Sequence, residues 1–198
     1  MPFLTDATWP AGLQTIFDIG RHQFPPHENR YYGPYSKLLE YCIGSESFEF
    51  FVAPQAAPSG DAQRETVDFV VYLAVFNTRG LPVLIAEIKN DAWVDTADLR
   101  LKAEDQIRQR YSTMLANCPL PRLWGLSLLG TSLRVYVGDV ATGKIEPAFT
   151  DRPNSTLDLP GDLLEGAWNI DILSQDGFDT MKEIVGDIIG NAVSSSLI

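Results

Sequence analysis

Apolar and polar positions along this chain switch between two periods, and the switches mark its elements. Leu13-Gln14-Thr15-Ile16-Phe17-Asp18-Ile19 has helical spacing and predicts a short helix. Phe24-Pro25-Pro26-His27-Glu28-Asn29 then breaks the chain. Gly33-Pro34 opens a second helix over residues 35–43, and Gly44 closes it. Tyr35, Leu38, Leu39, Cys42 and Ile43 form its apolar stripe, with Glu40 off that stripe. Residues 48–52 read as a strand and residues 53–66 as a loop rich in Pro, Ala, Gly and polar types. Residues 67–76 are a second β-prone run with Asp68 at its start. Asn77-Thr78-Arg79-Gly80 is a turn, and a third strand follows over residues 82–89. So short a connection implies an antiparallel hairpin.

A connector over residues 90–96 leads to the clearest helix, residues 97–117. Thr96 or Asp95 is placed to cap it, and Pro119 stops it. Leu99, Ala103, Ile107, Tyr111 and Met114 are the expected buried stripe. Gln106 and Arg110 fall within or beside it, one turn apart, and Lys102 lies further along the same edge. Polar groups on a sheet-facing side need partners, which an anionic site at the sheet margin would supply. A strand over 123–129 turns at Gly130-Thr131 into another over 133–137. A turn at Thr142-Gly143 precedes a short strand over 144–149. Residues 150–161 read as a linker, and residues 178–193 as a closing helix with Met181, Ile184, Val185, Ile188 and Ile189 inward. The expected fold is α/β (α+β), a mixed central sheet flanked by helices. Residues 1–150 form its domain, and residues 151–198 are an acidic linker and a helix packed on it.

The third strand is apolar from Pro82 to Ile88 except for Glu87, and Lys89 follows. Glu87 and Lys89 are two apart, so a pleated strand points them to one face. Charges in a core strand are costly unless paired or bound to an ion. The hairpin brings Asp68, at the start of one strand, towards Glu87 and Lys89 at the end of the other. Taken singly, these residues make an ion pair at a strand end. Taken together they are the first place to look for chemistry.

Composition narrows the classes. The profile is globular, 45% apolar and 21% charged over 198 residues. No apolar run has the length of a membrane span, and the first residues lack a basic region followed by an apolar one. The expectation is an intracellular protein, cytoplasmic or nuclear. Cys42 and Cys118 lack metal-site spacing and are expected to be buried free thiols. His22 and His27 match no ligand pattern and are expected at the surface. A net charge of −11 argues against purely electrostatic binding to nucleic acid, but not against binding through a metal ion and a local basic patch.

The element order, with Asp68 and Glu87-x-Lys89 at these places, resembles the PD-(D/E)xK nuclease superfamily, whose core is αβββαβ. The resemblance covers roughly residues 34–138. The chain is also similar to a group of fungal proteins with this domain. The matching stretches are Tyr32-Gly33-Pro34-Tyr35, residues 82–89, Gln106-Ile107-Arg108-Gln109-Arg110-Tyr111 and Leu126-Ser127-Leu128-Leu129-Gly130-Thr131. The usual proline is missing, since Val67 precedes Asp68. Gln106 and Tyr111 are one residue too far apart for the Q-x-x-x-Y element of exonuclease-like members, so an exonuclease assignment is not supported.

The resemblance implies a restriction-endonuclease-like fold and hydrolysis of nucleic acid, DNA ahead of RNA, with Mg2+ or Mn2+. Asp68, Glu87 and the backbone carbonyl of Ile88 would be ligands, and Glu40 could join them. Lys89 would orient or deprotonate water or stabilise the phosphate. Gln106 would hold water or phosphate, as would Arg110. Lys102 and Tyr35 would meet substrate. Tyr31, Tyr32 and Tyr35 could stack on bases or belong to the core, and Trp93 has the same two readings. The resemblance leaves room for a homodimer, which this sequence does not itself indicate. Two other readings stand beside the nuclease: a silent domain of this fold used for binding, and an interaction protein whose acidic tail meets a basic partner.

Overall fold

β3 (Leu81–Lys89) runs through the middle of the sheet, and its alternating side chains divide the molecule into two layers. In this computed structural model residues 2–22, 28–43, 49–56, 67–73, 81–152 and 158–194 are described. Before β3 come α1 (Ala11–Arg21), α2 (Tyr32–Ile43), β1 (Phe50–Ala56) and β2 (Val67–Leu73). After it come α3 (Ala97–Met114), β4 (Arg122–Leu129), β5 (Ser132–Asp139), β6 (Ile145–Glu146), β7 (Ile170–Asp171) and α4 (Gln175–Ser194). The sheet order is β1-β2-β3-β4-β5-β6, with β7 also on β5. β3 is antiparallel to β2 and parallel to β4, as the α3 crossover requires, and β5 returns antiparallel. The protein is thus mixed α/β, with a mixed sheet flanked by helices.

Val83, Ile85, Glu87 and Lys89 share one face of β3, and register puts Gly125 and Ser127 beside Ile85 and Glu87. α3 covers this face. The Tyr111 hydroxyl donates to Leu123 O at 3.0 Å, and the ring lies so close to Gly125 that a Cβ there would stand 2.7 Å from its oxygen. A glycine on this strand is what lets the helix approach. The opposite face, with Trp124 beside Leu84, meets α4: Trp124 Nε1 donates to Asp187 Oδ2 at 2.9 Å. Phe178, Met181, Ile184, Val185 and Ile188 of α4 join the cluster that buries Leu84, Ala86 and Ile88. The closing segment is therefore packed on the sheet core.

Several expectations need correction. Residues 53–56, expected in a loop, extend β1, while residues 57–66 and the 77–80 turn lie outside the described residues. The strand over 144–149 shrinks to Ile145–Glu146. Thr96 stands at the α3 N-cap but makes no side-chain cap bond. On α3, Leu99 is only half-buried, whereas Arg100, Leu101 and Glu104 are buried with Ala103, Ile107, Arg110, Tyr111 and Met114. The cause is a second contact. Arg100 donates to Val94 O, Gly161 O and Leu163 O, which ties the 161–168 turns over the helix. A helix covered on two sides buries a wider arc than a stripe at one period foresees. Cys42 and Cys118 are buried free thiols, and His22 is exposed; His27 lies outside the described residues. No described helix is long and apolar enough to cross a membrane.

Candidate functional site

The site forms where the β2–β3 ladder runs out. Phe69 pairs with Ala86, so one step further Asp68 comes beside Glu87. There the Asp68 side chain replaces a main-chain partner: Ile88 N–H donates to Asp68 Oδ2 at 2.6 Å. This charge-assisted bond fixes the carboxylate against the strand. N–H and C=O of one residue on an extended strand face the same neighbour. The Ile88 carbonyl is therefore directed to the same margin as Asp68.

Lys89 Nζ stands 3.7 Å from Asp68 Oδ2 and 3.8 Å from Glu87 Oε2. From α3, Arg110 Nε donates to Glu87 Oε1 in a short charge-assisted bond. All four residues are buried, between 2% and 7% exposed. Two carboxylates and two cations thus share a nearly dry space. Burial, and then the neighbouring Asp68 charge, push the Glu87 carboxyl up to about 7, against the opposing pull of Arg110 and Lys89. Even with two internal cations, this space favours a protonated Glu87 or a further positive charge.

The other residues singled out from sequence are distributed around this centre. Gln106 sits one turn before Arg110, and its buried Oε1 has no hydrogen-bond partner among the described residues. Lys102, one turn earlier again, is exposed, with Nζ 5.5 Å from the Trp93 ring centre. Lys89 Nζ approaches the same ring at 5.8 Å. Glu40 is not brought in. It lies on the exposed side of α2 in an ion pair with Lys37 at 3.1 Å, about 12 Å along the helix from Tyr32. Tyr35 is likewise a core residue, 1% exposed, with its hydroxyl on Gly130 O at 2.7 Å.

The tyrosine that reaches the site is Tyr32, whose hydroxyl donates to Asp68 Oδ1 at 2.7 Å. Its neighbour Tyr31 donates to both oxygens of Asp91, at 2.7 and 2.8 Å, and Arg30 also pairs with Asp91. Asp91 packs on the β4–β5 turn, where Gly130 has φ 63° and a Cβ would lie 1.9 Å from Asp91 Oδ1. Only glycine fits that turn. One dipeptide thus ties both sides of the β3 terminus to α2. The sequence offered Tyr31, Tyr32 and Tyr35 together as base-stacking or core residues, and nothing in it singled out Tyr32 as the partner of Asp68.

The donor types suit a hard divalent cation: two carboxylates from adjoining strands, a main-chain carbonyl at the same margin and an amide oxygen nearby. The high Glu87 carboxyl and the orphaned Gln106 oxygen agree with such a guest. Such an ion would compete with Arg110 for Glu87. Among the described residues, no group of three or more His, Cys, Asp or Glu side chains gathers to hold a metal. No protein-family model, curated protein or solved structure matches this chain.

Proposed function

We propose that this chain is a Mg2+- or Mn2+-dependent nuclease with the αβββαβ core of the restriction-endonuclease-like fold, acting on DNA ahead of RNA. The observation that carries the reading is the convergence of Asp68, Glu87 and Lys89, with Lys89 Nζ 3.7 and 3.8 Å from the two carboxylates. The order α2-β1-β2-β3-α3-β4, with β3 antiparallel to β2 and parallel to β4, agrees with that core.

Asp68, Glu87 and the Ile88 carbonyl would hold the ion. When bound, it supplies a more acidic water and positive charge for the transition state. The remaining work falls to the side chains. Lys89, a point charge against both carboxylates, orients the attacking water or stabilises the phosphate. Arg110, released from Glu87, presents a planar donor fork to a phosphate oxygen. Gln106 holds the attacking water or a phosphate oxygen in line. Tyr32 holds Asp68 in place through its outer oxygen.

Thermal melting with and without Mn2+ tests the site first. A rise in melting temperature that Glu87→Ala abolishes is the expected result. Linear DNA, circular DNA and RNA, each with Mg2+ or Mn2+, then test cleavage. Protein that binds metal yet cuts none of the three would sink the nuclease and favour a binding module of the same fold. One observation already leans that way: Arg110 and Lys89 leave the carboxylate pair with internal cations.

A further inference from the structure

Trp93 differs from the other tryptophans of this chain. Trp9, Trp124 and Trp168 are at most 8% exposed, and each indole N–H has an internal acceptor. Trp93 is half-buried, packed at its base against the small cluster of Ala103, Leu129 and Trp168. It follows β3 by four residues, in the 3-10 turn Asp91–Asp95. Two ammonium groups approach its ring centre, Lys89 at 5.8 Å and Lys102 at 5.5 Å. Lys89 is also the residue that touches Asp68 and Glu87. The indole therefore stands one side chain away from the carboxylate pair.

The chain carries −11 overall, yet Lys102 makes no ion pair among the described residues. Lys102, Gln106 and Arg110 follow one another at one-turn intervals along one edge of α3. The outermost is beside the indole, the innermost is on Glu87, and between them lies the unpartnered Gln106 oxygen. The two ends of that edge, Lys102 and Arg110, are donors of the kind that meets phosphate, and the edge leads from an aromatic ring into the candidate centre.

Resting on the nuclease reading, we infer that Trp93 is a stacking platform for an unpaired base next to the reacting phosphate, with Lys102 on the adjoining phosphate, so that the substrate is single-stranded or frayed nucleic acid. A base inside a duplex has both faces covered by its neighbours and cannot lie on an indole. An unpaired base can, and stacking is tolerant of sequence because every base has a π-face. The two ammonium groups serve the phosphates either side of that base without reading it.

The test is binding in chelator, so that cleavage does not enter. Wild-type protein is titrated at low salt with a single-stranded DNA, the single-stranded RNA of the same sequence, and the DNA duplex. Tryptophan emission and the anisotropy of labelled strands are read together. A single strand is expected to quench the Trp93 contribution and to bind at least about ten-fold tighter than the duplex. The strand that binds better, DNA or RNA, identifies the sugar.

Trp93→Leu keeps apolar bulk against Ala103 and Leu129 but has no π-face. It should lose about ten-fold in single-strand affinity and all quenching, while Trp93→Phe retains most of the affinity. Lys102→Gln, a change at an exposed position, should weaken binding and reduce the slope of log affinity against log salt by about 0.7. Duplex binding as tight as single-strand binding, or Trp93→Leu binding as well as wild type, would overturn the inference. Metal-dependent cutting of duplex with no preference for single strands would remove this inference and leave the nuclease standing. Strand binding on Trp93 without any metal-dependent cutting would remove the nuclease and leave the platform.

Discussion

Two buried ionic groups sit under α3, about a turn and a half apart along the helix, and they are built differently. Glu104, fully buried, receives the Tyr136 hydroxyl at 3.1 Å on Oε1 and Thr150 N–H at 3.0 Å on Oε2. Arg134 Nη1 stands 3.1 Å from Oε1, close enough to pair though not aligned as a hydrogen bond. The Arg134 guanidinium is itself stacked against the rings of Tyr136 and Trp168. Each carboxylate oxygen of Glu104 thus accepts a hydrogen bond from a neutral donor. At Glu87, Oε1 accepts from Arg110 while Oε2 has a long contact to Lys89 at 3.8 Å, an amide oxygen on the same helix has no partner, and the carboxyl is pushed up to about 7. A satisfied buried charge ties elements together. An under-satisfied one is a place where something else can bind.

The comparison breaks most visibly at Glu104. Glu104→Ala leaves Arg134 and Tyr136 without their shared acceptor, and should cost about 3–5 kcal/mol in urea denaturation. Glu87→Gln, by contrast, should leave stability at pH 8 within about 1 kcal/mol of wild type or raise it. It replaces a carboxylate whose charge burial and Asp68 disfavour by a neutral group of the same shape. Equal losses from the two variants would show that both groups are merely structural.

The next largest effect is on pH. Glu87 binds its proton more tightly in the folded chain, at about 7 against 4.5 unfolded. Its contribution to stability is therefore complete below about pH 4.5 and is lost as pH rises through about 7. In chelator, the loss should be on the order of 3 kcal/mol across that window, and Glu87→Gln should lack it. With Mn2+ the dependence should flatten or reverse, since the ion competes with the proton for the same carboxylate. A wild-type profile parallel to that of Glu87→Gln in both conditions would place the titration elsewhere.

The smallest expected effect sharpens the site itself. Tyr32→Phe removes one hydrogen bond from Asp68 and should cost about 1 kcal/mol of stability. It should weaken Mn2+ binding by about ten-fold, read as a smaller rise in melting temperature. An unchanged Mn2+ affinity would make Tyr32 a packing residue only.

Much of this architecture was legible in the chain. The 3.6-residue period over 35–43 named all five of its buried apolar positions, because α2 buries one narrow face. The apolar run into Glu87-x-Lys89 marked β3, and the hairpin order brought Asp68 beside it. Those are local rules, and they hold wherever one side of an element meets the core. They failed on α3, where the turns at 161–168 cover Arg100, and Tyr136 and Thr150 meet Glu104, outside the expected stripe. At Glu40 and Tyr35 the rules held: helical spacing left Glu40 off the apolar stripe and set Tyr35 within it, and only the resemblance had drawn the two towards the site.

By itself, then, the sequence determined which segments become strands and helices and which charged residues β3 carries into the interior. Both follow from side-chain period and from the cost of burying charge. Only the tertiary structure decided which polar groups meet. It set Tyr32 rather than Tyr35 on Asp68, Arg110 on Glu87, and two lysines near the Trp93 ring. Those pairings depend on the register of β2 on β3 and the rotation of α3 over β4, which are properties of packed neighbours rather than of any one stretch of chain.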